Sequence, residues 1–165
     1  MDETPKDHLT RIDKLLDEYE RSIGLPAYDA TNHDETEIAK CMNMPREAME
    51  RLFPEDCSQI AGVLLNFSVH LTRSMNRDKA RITWCDGELR KLATPRMNQY
   101  RSCGGSFQHI FDMSVMDDDY TLKLFNIKLY AQERIDRISY IAKGVNDIAE
   151  NFKEMGRNKR YKEKE

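Results

Sequence analysis

Six residues with useful chemistry fall in register: Asn66, His70, Arg73, Arg77, Arg81 and Trp84, four, three, four, four and three apart. Residues at those intervals line up along one side of a helix. Guanidinium groups attract phosphates, and an indole offers a flat face to bases. Together they suit a single-stranded nucleic acid. Arg73, Arg77, Arg81 and Trp84, with Arg90 and Lys91 adding charge further along, are therefore candidate nucleic-acid-binding residues. A blander reading uses the same residues as a charged flank beside a core, with Trp84 as its buried edge. The two differ in one respect, whether the row lies open to solvent. The nucleic-acid reading expects that it does.

Other chemistry finds less support. The chain has no G-x-S-x-G, H-E-x-x-H, P-loop or dinucleotide fingerprint, so no enzyme is expected. Cys41, Cys57, Cys85 and Cys103 include no pair two to four apart, and the four His are scattered, so neither a zinc knuckle nor any other metal or cofactor is expected. The run Asp117-Asp118-Asp119 reads as the start of a helix, where carboxylates meet the positive end of the helix dipole. Gly104-Gly105 has no following Lys-Ser/Thr and reads as a hinge.

The row needs a long helix to carry it. From Pro54 to Leu92 no proline intervenes, and apolar residues recur at Ile60, Leu64, Phe67, Leu71, Met75, Ile82, Cys85, Leu89 and Leu92. This is the stripe of one helical face. Such a helix needs an equally long partner. Ala131, Ile135, Ile138, Ala142, Val145, Ala149, Phe152 and Met155 supply one, in a near-heptad seam of coiled-coil type. Pro95 either kinks the first helix or ends it. Ahead of them, Thr4 and Pro5 open a helix to about Ile23 with Leu9, Ile12, Leu15, Leu16, Tyr19 and Ile23 as its inner face. Two short helices follow, about 34–43 and 45–52. The second is too acidic to read DNA.

Composition sets the partners. Charged residues are 33% of the 165, which suits long exposed helices. Net charge is −3 but uneven: residues 1–58 hold 7 Lys/Arg against 15 Asp/Glu, and residues 59–165 hold 19 against 14. The body therefore expects an anionic partner, and the front a cationic or protein partner. Alternatively the front shields the basic row, within the molecule or between subunits. With no signal peptide recognised and no apolar run near a membrane span, the expected location is the cytoplasm, with no membrane partner.

Lys79-Ala80-Arg81-Ile82 with nearby Trp84, the polar break at Gly104-Gly105, and a long last helix opened by Asp117-Asp118-Asp119-Tyr120 together resemble the UvsY recombination mediators of T4-like phages. The resemblance covers about residues 60–155. It implies a small helical protein that assembles into a ring and binds single-stranded DNA in the host cytoplasm. It also implies two protein partners, a RecA-like recombinase and the single-strand-binding protein that the recombinase replaces. Lys79 and Arg81 would be phosphate contacts, and Trp84 a stacking residue. The acidic front has no counterpart in that pattern.

The expectation is thus an all-α protein: two long antiparallel helices, about 54–95 and 118–156, with a smaller helical part in residues 1–53 and a flexible basic tail in 157–165. It forms an elongated bundle that oligomerises. Its expected function is non-catalytic binding of single-stranded DNA in recombination, repair or replication. The alternative is a helical structural or adaptor protein that builds an assembly without nucleic acid.

Overall fold

The computed structural model describes residues 4–28 and 34–162. These fold into six α-helices: α1 (Pro5–Ser22), α2 (Glu35–Met42), α3 (Arg46–Arg51), α4 (Pro54–Arg96), α5 (Phe107–Met116) and α6 (Asp119–Lys162). A 3-10 helix, Met97–Cys103, follows α4 directly. No strand occurs among the described residues. The long helices α4 and α6 pack against each other, as the two apolar stripes require.

Local chemistry explains the starts and stops. Thr4 caps α1 in a capping box with Asp7, and Pro5 occupies the first turn. Gly24, at φ +83°, turns the chain out of α1. The Asp34 carboxylate accepts the amides of Thr36 and Glu37 at the start of α2. Asp118 accepts the Thr121 amide at 3.0 Å, so the aspartate run does open α6. That bond, with Arg96 close by, holds the Asp118 carboxyl below the usual range. Pro95 neither kinks α4 midway nor ends it at once. It sits in the last turn, and the chain tightens into the 3-10 helix one residue after Arg96.

The chain divides into two compact units, each discontinuous in sequence. One comprises residues 26–74 and 137–165. Its core joins Cys41 of α2, Ala61 and Leu64 of α4, and Val145, Ala149 and Phe152 of α6, with Met49 and Leu52 packed against them. The two long helices run antiparallel here, with the Ser68 hydroxyl donating to the Ala142 carbonyl at 3.4 Å. A Cβ on Gly156 would stand 3.1 Å from that of Cys57, so a glycine lets α6 approach the start of α4. The Lys159 ammonium donates to the carbonyls of Met49, Glu50 and Leu52 and so caps the C-terminus of α3. These contacts carry α6 to Lys162, well past its expected end at Gly156.

The other unit comprises residues 1–25 and 75–136. Cys85, Leu89 and Ala93 of α4 pack with Val115 of α5 and Leu124 of α6. Two buried hydroxyls tie the corner: Ser114 donates to the Ala93 carbonyl at 2.8 Å, and Thr121 to that of Val115 at 2.6 Å. The antiparallel pairing continues through Lys128 and Asp86 at 2.7 Å. Burial pushes the Cys85 thiol up to about 11.

Candidate nucleic-acid interface

In the second unit α4 presents two polar faces. The first carries Arg77, Arg81 and Trp84, and α1 lies against it. The Arg77 guanidinium is paired with Asp17, and with Glu20 at 3.1 Å. Arg81 reaches Asp13 at 2.7 Å and Asp78, on its own helix, at 2.9 Å. Asp78 is almost fully buried and also accepts two bonds from Arg134, both at 2.8 Å. The Trp84 ring stacks on His8 with centroids 5.3 Å apart. Read along both helices, residues 8, 13, 17 and 20 of α1 meet 84, 81, 77 and 77 of α4. The two therefore run antiparallel. Burial works against the charge on Arg77, but Asp17 and Glu20 more than offset it, and its pKa is raised.

The expected open row is therefore corrected. Arg77 is buried, Arg81 and Trp84 are half-buried, and the countercharges come from the acidic front of the same chain. With α1 in place, its carboxylates already hold Arg77 and Arg81. Arg73 belongs to the other unit. It too is buried, donating to the Pro26 carbonyl at 2.9 Å and lying over the Tyr28 ring, which stacks on His70.

The inner face expected for α1 is corrected as well. Leu9, Ile12 and Leu16 are half-buried, whereas Leu15, Tyr19 and Ile23 are 60%, 62% and 57% exposed. The face turned to α4 is shared between leucines and carboxylates.

The second face of α4 carries Lys79, Thr83, Gly87, Arg90 and Lys91, all exposed. Lys79 sits between Arg77 and Arg81 in sequence but roughly 200° round the helix from each, so it cannot share their row. Lys79 and Arg90 are three turns apart on one side, separated by about 16 Å. Lys91 pairs with Glu88 at 2.6 Å but stays 72% exposed, where such a pair is weak. This face needs no rearrangement to meet a phosphate.

The candidates thus separate: Lys79, Arg90 and Lys91 are open, Arg77, Arg81 and Trp84 are covered, and Arg73 lies apart. Sequence reasoning missed Asp13, Asp17, Glu20, His8, Asp78 and Arg134. A signal for the first three was present. Their spacing of four and three makes an acidic ridge on α1 that complements the basic one on α4 in reversed order. In comparisons with known proteins, no family model, no curated protein and no solved structure matches this chain.

Proposed function

We propose that the chain is a non-catalytic helical accessory protein that binds single-stranded DNA without sequence preference. The resemblance to recombination mediators gives this its context: assistance to a RecA-like recombinase against a single-strand-binding protein. One observation carries it in the described conformation. Lys79, Arg90 and Lys91 stand on an open face of α4 with the Thr83 hydroxyl and Gly87 among them. Cations and small residues along one side of a helix admit a phosphate backbone closely and read no bases.

That support is narrower than the seven residues named from sequence, and the expected affinity is correspondingly modest. Three phosphate contacts give a salt dependence with a slope of about −2 for a single strand. Fluorescence anisotropy with labelled oligo-dT at low and high salt tests it. The Lys79→Glu, Arg90→Glu variant should keep its helix content and lose about tenfold or more in affinity, since two contacts become repulsions. Equal affinity in variant and parent rules out this face.

A second reading, an assembly or adaptor protein, has its own observation. Leu15 and Tyr19 on the outer side of α1, and Ile23 at its C-cap, recur every four residues and are exposed. An apolar stripe of that kind suits a protein partner. Intramolecular pairing of Arg77 and Arg81 fits this reading without further assumption. Under it the chain shows no salt-dependent binding to oligo-dT.

A further inference from the structure

We infer that α1 is a displaceable cover, and that a single-stranded polyanion competes with its carboxylates for Arg77, Arg81 and Trp84. The inference rests on the single-strand reading above and adds regulation to it.

Three observations bear on it. First, the contact is electrostatic in register. Asp13, Asp17 and Glu20 meet the guanidinium groups in order, and a ring from α1 covers the indole. Carboxylates therefore stand where phosphates would, and an imidazole where a base would. Second, the apolar anchoring of α1 is partial, with Leu9, Ile12 and Leu16 only half-buried. Its only buried residue is Pro5, and it contributes nothing to the core clusters of Cys85 and Leu89 or of Leu64 and Phe152. Lifting it removes no member of those clusters. Third, the contact is imperfect. Asp13 Oδ1 and Arg81 Nε are buried with no hydrogen-bond partner among the described residues. Charges withdrawn from water but incompletely paired contribute little net stability. Such a contact yields to a competitor more readily than a packed apolar one.

Cover and competitor are thus alternatives for one row. With α1 down, a strand meets Lys79, Arg90 and Lys91 only. With α1 displaced, Arg77 and Arg81 add two phosphate contacts and Trp84 adds a stacking surface.

The test uses the full chain with the isosteric set Asp13→Asn, Asp17→Asn, Glu20→Gln, alongside the set Asp13→Ala, Asp17→Ala, Glu20→Ala, neither of which adds a cation of its own. Anisotropy with oligo-dT is read across salt. The altered chains should bind about tenfold tighter, with a slope steeper by about 1.4, as two more phosphate contacts predict. Binding by parent and altered chains with the same affinity and slope overturns the cover and leaves the open-face reading standing. Binding by the altered chains alone supports the cover and removes the open face as a site. Binding by neither overturns both.

Discussion

Helices α1 and α2 are both short, early in the chain and laid against long helices, yet they are held in opposite ways. Helix α2 places Cys41 in a core with Leu64, Val145 and Phe152, and neighbouring Met49 and Leu52 extend that contact. Helix α1 places Asp13, Asp17 and Glu20 on guanidinium groups and leaves Leu15, Tyr19 and Ile23 in solvent. Apolar burial is not screened by ions and has no competitor except another apolar surface. A charged contact answers to salt and to any rival polyanion. The contrast teaches that these two attachments respond to different conditions.

The largest test of that contrast is in the apolar core. Phe152→Ala should cost about 3–5 kcal/mol by urea unfolding, because the ring is fully buried and little can collapse into its place. Leu15→Ala, on the outer side of α1, should change stability by less than about 0.5 kcal/mol. Similar losses from both would abolish the distinction.

An intermediate effect belongs to Asp78. This buried carboxylate serves both Arg81 and Arg134, and Asp78→Ala leaves two cations without it. Both guanidinium groups retain some solvent, so the expected loss is about 2–3 kcal/mol, below that for a wholly buried pair. A neutral outcome would mean that the charged contacts hold nothing in place.

The smallest effect sharpens the contrast without mutation. In 1 M salt the amides of α1 should exchange with solvent several-fold faster, while those of α2 are unchanged or slower. Parallel behaviour in the two helices would show that α1 is held by its half-buried leucines after all.

Much of this architecture was legible in the residues. Both long stripes, the Thr4 and Pro5 start of α1, the aspartate cap of α6 and the loop at Gly104-Gly105 follow from periodicity and from backbone needs that only a few side chains meet. The candidate site was less legible, for a definite reason. A helical wheel states which residues share a face but not what covers that face. The leucines of α1 suggest an apolar inner side, although Asp13 and Asp17 carry the same four-residue spacing as Arg77 and Arg81. Lys79 joins Arg77 and Arg81 through the Lys79-Ala80-Arg81-Ile82 resemblance and not through the helical register, and two positions round a helix place side chains on opposite sides. The extension of α6 to Lys162 was hidden because its anchor, the Lys159 ammonium on the carbonyls of Met49, Glu50 and Leu52 at the end of α3, joins residues more than a hundred positions apart.

Helix α6 supplies one side of both cores, Leu124 to one and Val145, Ala149 and Phe152 to the other. Neither core can close before α6 has left the ribosome. Until then the nascent chain carries α4 with its apolar stripe incompletely covered, while the acidic helix that pairs with Arg77 and Arg81 is already made. Synthesis thus passes through a stage at which collapse with other chains competes with completion, the circumstance that calls for a chaperone or for slow, sparse expression.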